Sequence, residues 1–204
     1  MIKPVITEWT IVILGRWNTA IFNPKWLGEN IFEEKKLNIE VAMDAGFPMQ
    51  ITGDKVLLIP REDRLILAPT EISDVCLQKV EDISVKLLQL LSHTPVARIG
   101  LNFGYETELD DDFINLHFPD PDAAGCLTKG LITRKRFCNR SCDYEGEALN
   151  MNFTIDDKLR IKFNYDSETT DTKSAIDKIK NKFLQHKKLT LKLLNELYNL
   201  KEVE

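Results

Sequence analysis

Five aspartates and one histidine, Asp110, Asp111, Asp112, His117, Asp120 and Asp122, fall within thirteen residues of this 204-residue chain. Hard oxygen donors with an imidazole among them are the kind of set that holds Mg²⁺, Mn²⁺ or Ca²⁺. Asp110, Asp112, His117 and Asp120 are the candidate ligands, and a metal-dependent nuclease or hydrolase built on residues 110–122 is the enzymatic reading. Their spacing matches neither the calcium loop Asp-x-Asp-x-Asp-Gly nor the helix motif His-Glu-x-x-His. An acidic surface loop also needs no ion. Cys138 and Cys142, with Cys126 and His117 upstream, form a second set of zinc-ligand type. In a strand, a spacing of four puts Cys138 and Cys142 on one face but about 13 Å apart at ~3.3 Å per residue. Only a turn at Asn139, Arg140 and Ser141 would bring them close enough to share one ion.

Nucleophilic chemistry has less to stand on. There is no Gly-x-Ser-x-Gly elbow, Gly-rich phosphate loop or dinucleotide fingerprint, and nothing pairs His93, His117 or His186 with a Ser, Cys or Asp. His186 sits on the apolar side of a helical pattern, where a satisfied core histidine is expected rather than a base. No catalytic residue is assigned and no cofactor is expected. Binding chemistry has two candidates. Arg134, Lys135, Arg136 and Arg140 surround Phe137, with Lys129 upstream, a combination able to clamp phosphates and stack a base. One such run in an acidic protein is a slight footprint, so nucleic acid through residues 129–140 ranks below a protein partner. Trp17 and Trp26, beside Asn23-Pro24, offer either an aromatic recognition surface or core plugs.

The elements that must position these residues read as follows. Trp9 to Leu14 is a β-branched apolar run ended by Gly15, the pattern of a strand buried on both faces. Leu37 to Met43 alternates as a half-buried strand, and Asp44 to Pro48 turns the chain. Val56 to Ile59 and Leu65 to Leu67 flank the turn Arg61-Glu62-Asp63-Arg64, with Pro60 ending its strand or marking an edge. Ile72, Cys76, Val80, Ile83, Leu87 and Leu90 then recur at threes and fours, an amphipathic helix capped by Ser73 or Asp74 and stopped by Pro95. Val96 to Tyr105 carries Gly100 and Gly104 on one strand face, where a packed helix is the expected neighbour. Lys129 to Glu145 reads as an extended arm or strand. Leu149, Met151, Phe153 and Ile155, then Leu159, Ile161, Phe163 and Tyr165, alternate strictly around Asp156-Asp157-Lys158, a hairpin with one buried face. Ile176, Ile179, Phe183, Thr190, Leu194 and Leu197 define a closing helix from about Ser174, with a kink expected near residues 186–189.

The same order, strand, strand, hairpin and helix, thus occurs twice. The expected fold class is α+β: two pseudo-repeats, residues 1–95 and 96–204, each an antiparallel sheet followed by one long amphipathic helix and packed as one compact body. Composition fits a folded chain, with 43% apolar residues and a net charge of -5. No apolar window is long enough to span a bilayer and no cleavable leader is evident, so a cytoplasmic location and no membrane are expected. Residues 1–128 hold 11 Lys/Arg against 20 Asp/Glu, while residues 129–192 hold 15 against 9. That asymmetry suits a homo-oligomer joined head to tail, or an acidic partner for the basic half.

Ala97-Arg98-Ile99-Gly100-Leu101-Asn102-Phe103, the hairpin ending Leu159-Arg160-Ile161-Lys162-Phe163-Asn164-Tyr165-Asp166, and the closing helix together resemble a sporadically distributed family of uncharacterised bacterial proteins. The resemblance implies a two-repeat α+β architecture and no catalytic residues. The layout is also similar to the export-chaperone fold typified by SecB, in which an antiparallel sheet backed by long helices presents apolar grooves to unfolded chains. The expected function is a non-enzymatic scaffold or adaptor subunit of a bacterial multi-protein system, antiviral defence among the candidates, whose partner is another protein encoded nearby. A SecB-like chaperone for an unfolded partner segment is the first alternative, and the metal-dependent enzyme the second.

Overall fold

The computed structural model describes residues 1–32, 37–40, 49–108 and 110–203. Ten strands are described: β1 (Lys3–Pro4), β2 (Thr10–Gly15), β3 (Asn38–Glu40), β4 (Gln50–Gly53), β5 (Val56–Pro60), β6 (Arg64–Pro69), β7 (Val96–Thr107), β8 (Arg136–Tyr144), β9 (Glu147–Ile155) and β10 (Leu159–Glu168). Six α-helices accompany them: α1 (Pro24–Asn30), α2 (Asp74–Leu90), α3 (Asp111–His117), α4 (Ala123–Thr128), α5 (Thr172–Ile179) and α6 (Phe183–Tyr198). The protein is therefore mixed α and β. All strands join one antiparallel sheet in the order β3-β4-β5-β6-β2-β7-β10-β9-β8, with β1 paired to the far end of β7. From the central pair, β2 and β7, the sheet runs outward through β6, β5 and β4 on one side and through β10, β9 and β8 on the other.

The hairpin of β9 and β10 shows how the pattern dictates the layer. Phe163 pairs with Met151 and Ile161 with Phe153, so strict alternation sends eight apolar side chains to one face. All eight are buried there. Helices cover only that face. Phe183 of α6 lies 5.0 Å from Phe103 of β7, and Trp9 meets Phe103 and Tyr105 edge-on at 5.2 and 5.5 Å. The opposite face is open. Across it run the neighbours Val12, Ile66 and Ile59 and, beside them, a row of side-chain hydrogen bonds. In that row Ser141 donates to Asn150, Asn150 to Asn164, Asn164 to Asn102 and Asn102 to Thr10.

Four expectations need correction. The strand from Trp9 to Leu14 is not buried on both faces, because Val12 and Leu14 face the open side and are only half-buried. Gly100 does not meet a helix, and Gly104 meets only Glu8, the last residue of a short 3₁₀ turn at Ile6–Glu8. Both glycines lie on the open face, where a Cβ at Gly100 would stand 3.1 Å from the Asn164 amide and one at Gly104 would stand 2.3 Å from Cβ of Glu8. The last helix is two helices, and the break comes at residues 180–182, not at the expected 186–189. Asn181 adopts φ +61°, and the buried Glu81 of α2 accepts the Asn181 and Phe183 backbone N–H groups at 2.6 and 2.9 Å. A carboxylate held across from the new helix start supplies the cap and the favourable charge that α6 needs. Finally, Leu90, expected on the core face of α2, is exposed at the helix end. Of the strand read from Leu37 to Met43, residues 38–40 form β3; Val41 to Met43 and the turn Asp44 to Pro48 lie outside the described residues.

Gly104 yields a sharp test. Gly104→Ala forces the two Cβ atoms apart and is expected to lower the unfolding free energy by about 1–3 kcal/mol in urea melts. Glu8→Gly, which deletes the obstructing atoms, should recover most of that loss in the double variant; a strictly additive result would place the strain elsewhere.

Candidate protein-interaction surface

β8 is the last strand of the sheet, nine residues long, and its second edge pairs with nothing among the described residues. An unpaired row of N–H and C=O groups is a template for another strand. Its register against β9 assigns the side chains. Arg136, Cys138, Arg140, Cys142 and Tyr144 share the helix-side face with Ile155, Phe153, Met151, Leu149 and Glu147, while Phe137, Asn139, Ser141 and Asp143 lie on the open face. Arg140, Cys142 and Asn139 are exposed, and Cys138 and Tyr144 lean on the core. No helix lies squarely over β8, so a shelf remains beside its free edge.

The wall of that shelf is α6. Its buried stripe is Phe183, His186, Thr190, Leu194 and Tyr198. Lys187, on one flank, bonds Asp74 of α2 at 2.7 Å, so the opposite flank with Leu189, Leu193 and Leu197 faces away from α2, on the β8 side. Leu197 is half exposed. Tyr198 is the last residue of α6. It is buried against Phe118, Phe153 and His117, yet its hydroxyl has no hydrogen-bond partner among the described residues. Burial pushes the Tyr198 phenol above its usual range, and the charge of Arg140 draws it part of the way back.

A buried polar cluster holds α6 in this position. His186 donates from Nδ1 to the Lys182 carbonyl at 2.8 Å and faces Oε2 of Glu147 with Nε2 at 2.9 Å. The Lys182 carbonyl can only accept, so Nδ1 carries hydrogen, and the Glu147 carboxylate lies within hydrogen-bond distance of Nε2. Lys178 of α5 adds a second cation 3.7 Å from Glu147, and Tyr165, edge-on to His186 at 4.3 Å, bonds Thr190 at 2.9 Å. Burial works against the Glu147 carboxylate, but the hydrogen bond and charge of His186, the charge of Lys178 and the Ser167 hydroxyl outweigh it and hold the group below its ordinary 4.5. His186 is thus a satisfied core histidine.

The remaining sequence candidates fall as follows. Trp17 is a core residue, in ring contact with Phe22 and donating to the Ile13 carbonyl, and Trp26 packs half-buried on Phe22. They plug the end of the sheet near α1. Asp110 caps α3 by accepting the Phe113 N–H, and His117 stacks on Phe113; both line a cleft of about 580 Å³ with Tyr198. Asp120 instead faces Arg136 at 3.6 Å. Among the described residues no three His, Cys, Asp or Glu side chains converge as a metal would require. Cys138 and Cys142 sit four apart in a regular strand with no turn between them, and all four cysteines are free. Of the basic set, Lys135 lies 3.7 Å from Asp156 and over the Phe137 ring at 5.0 Å. Arg134 and Arg140 form no ion pair among the described residues. Phe137 is 65% exposed and Ile132 79%, with Leu127 and Leu131 exposed nearby in sequence. The sequence reading missed the leucine flank of α6 and the orphaned Tyr198 hydroxyl; the extra apolar positions Leu189 and Leu193, off the main stripe, were the available signal.

Comparison with known protein families and with curated protein sequences finds no match to this chain. No helix among the described residues is long and apolar enough to cross a membrane.

Because the folded Glu147 sits below its ordinary value, its contribution to stability is complete above pH ~4.5 and is lost as pH falls through the folded value. Glu147→Gln should destabilise the protein by about 1–3 kcal/mol at neutral pH, since it removes the buried carboxylate that faces His186 Nε2 and Lys178 Nζ. Urea melts from pH 7 to 3 should show the gap between wild type and variant closing only in the acid range. A gap independent of pH would remove the ion pair from the account.

Proposed function

We propose that this chain is a non-enzymatic protein-interaction subunit, a scaffold or adaptor, that engages its partner through the β8 side of the sheet. The observation that carries this reading is the coincidence, on one side of the molecule, of a nine-residue strand with a free edge and strongly exposed apolar side chains. Monomeric proteins blunt such edges and scatter such residues, because both invite association. Arg140, in the middle of that strand, is a cation without an ion-pair partner among the described residues. A rigid sheet below and a clamped α6 above make the surface preformed, which lowers the cost of binding.

The architecture we propose behind it is two copies of one unit, residues 1–95 and 96–204. The order β4, β5, β6, β2 is mirrored by β8, β9, β10, β7, and a helical segment follows each set, α2 in one case and α5 with α6 in the other. That layout favours one second reading, a SecB-like chaperone that holds an unfolded partner segment, because the shelf beside β8 is an apolar groove next to a sheet edge.

One experiment separates the two. Cells of the native host are probed with the tagged protein and with an Ile132→Asp, Phe137→Asp variant whose circular dichroism is unchanged. Capture of one defined partner by wild type, weakened more than about tenfold in the variant, supports the adaptor. Equal suppression of aggregation for unrelated unfolded clients supports the chaperone. Defined capture that survives both substitutions, or no capture by folded protein, overturns the assignment of this surface.

A further inference from the structure

Resting on the binding role just proposed, we infer that β8 accepts an extended segment of its protein partner as an added strand, and that this segment is apolar at alternate positions with a carboxylate opposite Arg140.

The chemistry of the recipient edge selects the guest. Nine residues of unpaired backbone offer enough ladder hydrogen bonds to hold a strand, and these carry affinity without reading sequence. Specificity must come from side chains facing α6. A guest strand beside β8 would set every second residue on the helix side, over Cys138, Arg140 and Cys142 and against Leu189, Leu193 and Leu197. Apolar guest residues fill that wall. The middle position meets Arg140, exposed and without an ion-pair partner among the described residues. A carboxylate there gains a charge-assisted hydrogen bond, whereas a lysine meets repulsion.

A second copy of this chain is a poor guest. Arg140 is the middle residue of β8, so two β8 strands paired about their centres would oppose Arg140 to itself. Charge on an edge is the usual protection against such self-pairing, and it leaves an acidic strand as the admitted partner.

The test uses the whole protein and three labelled peptides matched to the nine residues of β8. The first alternates Val and Thr with a central Glu, the second has a central Lys, and the third is the Glu peptide N-methylated at every second residue on its β8-facing edge. Fluorescence anisotropy should rank Glu above Lys by more than about tenfold, with the N-methylated peptide weakened at least as much. Arg140→Glu, a surface change, should reverse the Glu and Lys ranking, and Arg140→Lys should keep it. Leu193→Asp should weaken all strand-competent peptides. Equal binding of the N-methylated peptide rules out strand addition; equal Glu and Lys affinities rule out the role of Arg140. Binding of anionic vesicles or RNA in preference to the Glu peptide, or a dimer that forms as concentration rises and competes with it, also overturns the inference. If host-partner capture still depends on Ile132 and Phe137 while no peptide binds, the added strand is wrong and the interaction role stands. If the peptides bind but host capture fails, the reverse holds.

Discussion

The antiparallel pairing of β2 with β7 is the constraint on which the remaining structure rests. Ile11 opposes Leu101 and Ile13 opposes Ile99, so the apolar rows of the two halves merge into one. Those rows then extend through Leu67 and Leu58 on one side and through Tyr165 and Leu149 on the other. Neither half could cover its inner face alone, because the helices reach across the joint. α2 packs on β6 and also against α5 and α6, while α5 lies on β7. Burial on that one face, at about 25 cal/mol per Å² of apolar surface, is what holds the layers together.

That shared layer is fastened by two carboxylates used in different ways. Glu81 reaches from α2 to the start of α6 and accepts two backbone N–H groups, so it ends one helix and begins another. Glu147, the first residue of β9, holds its carboxylate 2.9 Å from Nε2 of His186, so it fixes the rotation of α6 about its axis. One sets where α6 begins and the other sets which flank it turns toward β8. The leucine flank therefore owes its direction to polar contacts, although the driving force of packing is apolar. Buried charge is retained here because it specifies an orientation that hydrophobic contact alone would leave loosely defined.

This division explains how much could be read from the sequence. The hairpin of β9 and β10 and the helix α2 were legible, because local alternation and helical spacing decide them. The break before α6 was not, since its cause is a glutamate about one hundred residues away and an asparagine whose left-handed conformation carries no unique signature. The glycines of β7 were recognised as a close approach, but the neighbour was misjudged: Glu8 arrives through the pairing of β1 with the end of β7, a contact separated by nearly the whole first half of the chain. Of the surface, the basic run and Phe137 were legible as residue types. That β8 is an end strand was not, since strand order is a property of the assembled sheet.

The two ends of the sheet differ in a way that bears on binding. At the β4 end, Phe32 and Leu37 press so closely on Gly53 that a Cβ there would stand within 2.7 Å of Phe32, and β3 pairs with β4 along its outer edge. The last strand at that end, β3, is only three residues long. At the β8 end, the excursion through α3 and α4 sends Phe118 inward to stack on Tyr198 but leaves Leu127, Leu131 and Ile132 in solvent. An open edge with Arg140 on it, unpaired among the described residues, is what a complementary acidic strand would need, and charge on such an edge is a usual guard against pairing with a like copy.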